Sequence, residues 1–257
     1  MSLVETHSHG AIVEIRLARP PVNALDPTLC ADIRKAIDAA VRGGAHGLVL
    51  SGGGAVDGPK VFSGGLDVPY LLSLGDDRAA LTAAWESFFA TAQALAACPV
   101  PVVVAIGGHA PAGGCVLALC CDYRVMASGP FRIGLNETQV GLPVPEGIQR
   151  LMRRAVGINR AERLLVAGEM VEAETALAYG LVDELVGIDE VGQRARMWLE
   201  GLLALPRGPL LETRAIARAD VIDALRPEHI RLDRFIDAWS TPDCQGALRA
   251  LVARLGK

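Results

Sequence analysis

Several catalytic signatures are missing from this chain of 257 residues. It holds no GxSxG nucleophile elbow, no GxxxxGK phosphate loop followed by Ser or Thr, and no HExxH pair. The glycine groups at 52–54, 64–65 and 107–114 do not form GxGxxG between a strand and a helix. These absences argue against a serine hydrolase, a nucleotide-dependent enzyme and a zinc enzyme. They leave cofactor-free chemistry open. The five histidines are scattered; His7 and His9 lie near a terminus expected to be mobile, and no metal site is expected.

The cysteines Cys30, Cys98, Cys115, Cys120, Cys121 and Cys244 include no CxxC pair, and most lie in apolar runs. They are expected to be reduced core residues in a cytosol-like compartment. The apolar run Pro99 to Ile106 is too short to span a bilayer. The first residues show neither a basic stretch nor an apolar run, so no secretory leader is expected. Arg254-Leu-Gly-Lys257 is not of the peroxisomal Ser-Lys-Leu type. A cytoplasmic location is the expectation. With a net charge of −4, nothing favours nucleic acid or an anionic membrane as a partner. No fixed-period repeat appears.

What remains is an alternation of strands and helices with enough apolar residues for a sizeable core. Ile12 to Leu17 alternates like a strand. Asp26-Pro27 opens a helix whose apolar positions run Leu29, Ile33, Ala36, Ile37, Ala40, and Gly43-Gly44 ends it. Leu48 to Leu50 is a short buried strand, and 51–59 is a glycine-rich loop. A helix is expected over Arg78 to Ala97, a strand over Val100 to Ile106, a helix over Pro111 to Cys121 and a strand over Tyr123 to Met126. Helices then follow at 146–156, 159–167 and 172–179, with a last strand at 181–186. From Asp189 onward the pattern is helical. The expectation is a mixed α/β core over residues 1–195 and a helical region over 196–257.

Three segments carry candidate chemistry. Gly113-Gly114, after an apolar strand and Pro111, can expose backbone N–H groups at a helix start or simply let a helix pack tightly. Phe62-Ser-Gly-Gly-Leu-Asp67 carries the same two readings, with Asp67 able to cap a helix through Pro69 and Leu72. Glu137 sits between Gly134-Leu135 and Val140-Gly-Leu-Pro143. If buried there, its carboxyl would have a raised pKa and accept protons well; an exposed loop glutamate is the plainer alternative. Two N–H donors and one buried base are what enolate chemistry needs.

Phe62-Ser-Gly-Gly-Leu-Asp67, Pro111-Ala-Gly-Gly-Cys115, Cys121-Asp-Tyr-Arg124 and Ile133-Gly-Leu-Asn-Glu-Thr-Gln139 closely resemble the crotonase (enoyl-CoA hydratase/isomerase) superfamily. The block Pro111 to Gly141 is most similar to the mitochondrial-type Δ3,Δ2-enoyl-CoA isomerases. Arg19-Pro20 with Asn23-Ala-Leu25, and Ala173 to Val186, support the match. The resemblance implies a spiral of ββα units whose helical C-terminal part mediates a homotrimer or a dimer of trimers. It implies an acyl-CoA thioester as substrate, with coenzyme A part of the substrate and no separate cofactor. By motif, it places the oxyanion donors at the N–H groups of Leu66 and Gly113, flanked by Gly65 and Gly114. Substrate contacts are expected at Asn23, Ala24, Leu25, Ser63, Gly64, Gly65, Asp67, Gly114, Leu135 and Leu142. Leu71, Leu72, Trp85 and Phe88 are further acyl-pocket candidates, the aromatics also suiting core packing. Arg16 or Arg19 are candidates for the CoA phosphates.

One position discriminates within the family. Hydratases resembling this chain carry two glutamates that hold and activate water. The second falls on Glu137, but the first falls on Val116, which can neither accept a proton nor orient water. The expected activity is therefore isomerisation of 3-enoyl-CoA to trans-2-enoyl-CoA in fatty-acid β-oxidation, with Glu137 as the single acid/base. A hydratase or another acyl-CoA enzyme of the superfamily, and a non-catalytic acyl-CoA-binding trimer, are the alternatives.

Overall fold

A computed structural model describes residues 2–52 and 60–254. Most of the expected glycine-rich loop at 51–59 lies outside the described residues. The chain opens with an antiparallel pair, β1 (Val4–His9) and β2 (Ile12–Leu17), with Val4 opposite Leu17 and His9 opposite Ile12. This corrects the expectation of a mobile terminus. The Thr-His-Ser-His stretch of β1 is exposed and hides the strand from an apolar pattern, because only Val4 is buried. His7 and His9 lie beside Glu5 and Glu14.

Helix α1 (Pro27–Arg42) forms as its sequence directs. Asp26 accepts from the Leu29 N–H at 2.7 Å, Pro27 takes the first helical position, and Gly44 leaves at φ 85°. Its buried stripe is Leu29, Cys30, Ile33, Ala36 and Ile37. Then come β3 (Gly47–Gly52), α2 (Val68–Ser73), α3 (Arg78–Ala96), β4 (Val102–Ile106), β5 (Ala110–Pro111) and α4 (Gly113–Leu119). The next elements are β6 (Tyr123–Ala127), β7 (Arg132–Gly134), α5 (Glu146–Val156), α6 (Ile158–Ala167), β8 (Met170–Glu172), α7 (Ala173–Tyr179) and β9 (Glu184–Val186). The C-terminal part is helical: α8 (Val191–Leu203), α9 (Arg207–Ala217), α10 (Ala219–Ala224), α11 (Pro227–Ile230), α12 (Leu232–Trp239) and α13 (Pro242–Arg254).

Two elements are shorter than expected. The last strand starts at Glu184 because the N–H groups of Leu181 and Val182 turn back to Ala176 O at the end of α7. Helix α4 starts at Gly113 because Ala110 and Pro111 pair with β7 as a strand.

The large sheet has the order β1-β2-β3-β4-β6-β9 and is parallel from β2 onward. The small sheet, β5-β7-β8, was not foreseen. Successive chain turns give one strand to each sheet: β4 then β5, β6 then β7, with β8 and β9 in reverse. Two single bridges, Leu25 with Leu66 and Val61 with His109, extend the second layer toward the N-terminal part. That split is the spiral of ββα units. β3 and β4 are buried over their whole lengths, as strands covered on both faces must be. One face meets the main core. The other meets α8, whose Val191, Ala195 and Leu199 pack on Ile12, Val49, Val103 and Val125.

Trp85 and Phe88 lie in an aromatic cluster with Phe89, Phe235 and Trp239 that joins α3 to α12; the Trp85 and Phe235 rings are 4.4 Å apart. All six cysteines are buried and free. Among the described residues, no helix is long and apolar enough to cross a membrane.

Glycines separate packing from propensity in this fold. A Cβ on Gly147 would lie 1.9 Å from Ala224 O, whereas one on Gly201, inside α8, would meet nothing within 4 Å. Gly147→Ala is therefore expected to destabilise by about 1–3 kcal/mol or more through overpacking. Gly201→Ala is expected to stabilise by about 0.5–1 kcal/mol through helix propensity. Denaturant melts of both variants check this, and equal effects would contradict it.

Candidate active site

The site is assembled where three loops meet. The first is the link 19–25. Asn23 is buried at φ 49°, a left-handed conformation that asparagine tolerates better than most residues. Its Oδ1 accepts from the Arg19 N–H at 2.9 Å and its Nδ2 donates to Phe62 O at 3.0 Å. Ser63 Oγ donates back to Asn23 O at 2.9 Å. The Leu25 N–H donates to Gly65 O at 2.7 Å, and the Asp67 N–H to Leu25 O at 3.0 Å. This lattice locks 22–25 against 62–67. Asn23, Ala24, Leu25, Ser63, Gly64, Gly65 and Asp67 are thus brought together.

Asp67 caps α2, accepting from the Tyr70 N–H at 3.0 Å. It also accepts from Arg19 Nη2 at 2.6 Å, and the same nitrogen lies 3.2 Å from Asp26. Arg19 Nη1 donates to Ala24 O at 2.8 Å. The structure therefore corrects the reading of Arg19 as a phosphate ligand. Its guanidinium is consumed as a tie between two carboxylates and the backbone. Arg16 lies beside Glu5 on the N-terminal strand pair, 3.6 Å away.

The second segment is Pro111 to Cys115. Gly65, at φ 80°, sits against it: a Cβ there would lie 3.2 Å from Pro111 O and 3.3 Å from Gly113 N. A Cβ on Gly113 would meet Leu25 and Leu66 at 3.1–3.2 Å, and one on Gly114 would be 2.7 Å from Ser63 O. Close packing thus accounts for Gly114 directly. It also brings Leu66 and Gly113 side by side. Ala112 holds φ 45° and ψ −115°, a strained conformation for a residue with a Cβ, and offers no side-chain cap. The first bonded N–H of α4 is that of Val116, to Ala112 O at 3.0 Å. Among the described residues, the N–H groups of Leu66 and Gly113 donate to no protein acceptor.

The third segment carries Glu137. β7 runs parallel to β5 with Gly134 paired to Pro111, and the Ala112 N–H donates to Gly134 O at 2.8 Å. That register brings the start of α4 and the 3₁₀ turn Glu137–Val140 to the same end of the small sheet. The turn is clamped. Thr138 Oγ1 donates to Leu165 O at 3.3 Å and Gln139 Nε2 to Gly168 O at 2.8 Å. Gly141, at φ 76°, lies so close to α13 that a Cβ would be 2.9 Å from the Cys244 Cα.

Glu137 as a residue is half-buried, but its Oε2 is sealed from solvent and has no hydrogen-bond partner among the described residues. Desolvation pushes its pKa up to about 7, opposed only by its own backbone N–H. Among the described residues no cation counters the shift and no second carboxylate adds to it. Val116, Leu135 and Leu142 are all buried and apolar, as is Leu71 on α2. The Cys115 thiol, fully buried on α4, feels the Glu137 charge. The Asn23–Ser63 lattice and the Thr138–Gln139 clamp were not anticipated. The first is foreshadowed only by the Pro-Pro-Val-Asn turn; the second joins residues about thirty positions apart and left no local signal.

Comparison with known proteins agrees with this geometry. A sequence profile of the family described as Enoyl-CoA hydratase/isomerase matches residues 7–236. The chain is 32% identical over 260 residues to mouse mitochondrial enoyl-CoA delta isomerase 1, covering 98% of this chain and 86% of that protein. It is 34% identical over 226 residues to the probable enoyl-CoA hydratase EchA17 of Mycobacterium bovis, covering 88% and 83%. Its fold matches the crystal structure of human mitochondrial delta3-delta2-enoyl-CoA isomerase with a TM-score of 0.90 at 28% identity, covering 99% and 98% of the two chains. Matched over most of its length by that family's profile and by these relatives, the chain belongs to the enoyl-CoA hydratase/isomerase family.

Proposed function

We propose that the protein is an isomerase that shifts the double bond of a 3-enoyl-CoA thioester to trans-2-enoyl-CoA. The observation that carries this reading is the solitary state of Glu137: its Oε2 is sealed and unpartnered, and no second carboxylate perturbs it among the described residues. Glu137 takes a proton from C2 of the acyl chain. Charge moves to the thioester oxygen, where the N–H groups of Leu66 and Gly113 receive it. Donors aimed at developing charge contribute roughly 10²–10³ in rate each. The Glu137 carboxylic acid then returns the proton at C4. Its pKa near 7 suits both roles, since such a group gains and loses a proton near neutrality. Water has no part in the reaction, and the apolar lining of Val116, Leu135 and Leu142 keeps it out.

The segments 23–25 and 61–67 are proposed to hold the pantetheine and adenine parts of the substrate. Place in fatty-acid β-oxidation belongs to the same proposal. So does assembly into trimers, which the exposed Leu205 and Ile216 of the C-terminal region suit. A hydratase reading is favoured by the mycobacterial relative's description. It lacks a second carboxylate at position 116. Product identity decides: trans-2-enoyl-CoA from 3-enoyl-CoA supports isomerisation, while brisk formation of 3-hydroxyacyl-CoA from trans-2-enoyl-CoA overturns it.

Glu137→Gln keeps the shape and removes the base. It is expected to lower isomerase turnover by roughly 10²–10⁴, read in a steady-state assay; an unchanged rate excludes Glu137 as the base.

Two pH effects follow from the raised pKa. As a base Glu137 acts ionised, so kcat/KM should rise with pH and level off above about 7. For stability the sign is opposite. The folded pKa lies above the unfolded one, so the contribution is complete below about 4.5 and is lost as pH rises through about 7. Ionising the buried group fully costs about 3 kcal/mol. Glu137→Gln should therefore gain stability over the wild type between pH 5 and pH 8 in paired thermal melts. A constant difference across that range contradicts the burial argument.

A further inference from the structure

Helix α4 has a second end. Its seven residues span about 10 Å, from Gly113 at the candidate active site to Leu119. Just beyond, the carbonyls of Cys120 and Cys121 accept from two arginines: Arg218 Nη2 at 2.6 Å and Arg124 Nη1 at 3.4 Å. These side chains border a cleft of about 370 Å³, which Arg154, Asp122 and Asp183 also line. That volume lies at the lower end of small-molecule sites and far exceeds one water.

The charges around the cleft do not balance. Asp122 is saturated by Arg214, through Nε at 2.7 Å and Nη2 at 2.8 Å, and by the Val102 N–H at 2.8 Å. Arg218 reaches the same aspartate only at 3.4 Å. Asp183 accepts from Arg124 Nη2 at 2.7 Å and from its N–H at 2.8 Å. Arg154 pairs with Asp220. Three arginines, Arg124, Arg154 and Arg218, and two aspartates, Asp122 and Asp183, thus line the cleft, and among the described residues Arg218 reaches only the aspartate that Arg214 already holds.

Two buried donors are left over. Among the described residues the Nε atoms of Arg218 and Arg124 have no hydrogen-bond partner, and Arg218 is only 8% exposed. A buried unpaired donor costs about 1–3 kcal/mol, more when charged, and in native proteins it commonly marks a bound water or ion. Here the excess charge selects an anion over water. The arginines come from three separate elements: β6, α5 and the turn before α10. Convergence from several elements suits a tetrahedral oxyanion better than a planar carboxylate, and guanidinium groups match phosphate oxygens well.

We propose that this cleft, at the far end of α4 from Gly113, binds a phosphate group, with Arg218, Arg124 and Arg154 as its donors. The proposal is independent of the isomerase reading.

The test uses the whole protein titrated with inorganic phosphate at fixed ionic strength, balanced with sodium chloride, and followed by thermal melting and calorimetry. A saturable rise in Tm that chloride and acetate do not reproduce is expected. Arg154→Gln and Arg218→Lys should each weaken binding by about tenfold or more. Arg154 is half-exposed, so its variant carries the test if Arg218→Lys does not fold. Saturating substrate-length acyl-CoA should leave phosphate binding in place, which separates this cleft from any phosphate subsite for coenzyme A. Glycerol phosphate binding as well as phosphate identifies a phosphorylated metabolite as the source; its exclusion identifies the free ion. No saturable effect, an equal effect of acetate, or unchanged affinity in Arg154→Gln overturns the proposal.

Discussion

One carboxylate is kept dry without being neutralised. Burying an ionisable group normally forces a cation or hydrogen-bond donors on it, and that would hold its pKa low. Among the described residues Glu137 meets no cation and only its own backbone N–H as donor, its Oε2 stays unpartnered, and its pKa rises to about 7. Such a side chain would turn to solvent if its backbone were free. Everything around the 3₁₀ turn prevents this: the parallel register of β5 and β7, the Thr138 and Gln139 bonds to the end of α6, and the close approach of α13 at Gly141. The cost of the dry carboxylate is met by the packing of two helices and a small sheet.

The glycines show that packing and chemistry need not compete. Gly114 is required because Ser63 O fills the place of its side chain. The same contact seats Leu66 beside Gly113, and the strained Ala112 leaves the first N–H groups of α4 without acceptors. One tight seam thus creates the pair of donors. The Asn23–Ser63 lattice fixes it from the other side, which explains why a buried asparagine in a left-handed conformation is worth keeping there.

Much of this was legible in the sequence because it is local. Asp26-Pro27 and Gly43-Gly44 bracket α1 through their own backbone chemistry, and Asp67 caps α2 as its spacing suggested. The motif blocks carried the family and the spiral. What stayed hidden depends on distant segments. The small sheet is built from strands of two or three residues, too short to show a period. The β1 strand is exposed on nearly every residue. The burial of Glu137 depends on contacts with residues 165–168 and 244, and the tie that consumes Arg19 depends on Asp67, far along the chain.

The central claim is that a single carboxylate performs both proton transfers in a site closed to water. Isomerising 3-enoyl-CoA labelled with deuterium at C2, in ordinary water, and locating the label in the product tests it most directly. Transfer by Glu137 alone predicts substantial deuterium at C4 of trans-2-enoyl-CoA in the first turnovers. Complete loss of the label to solvent, with only hydrogen delivered to C4, would contradict the account.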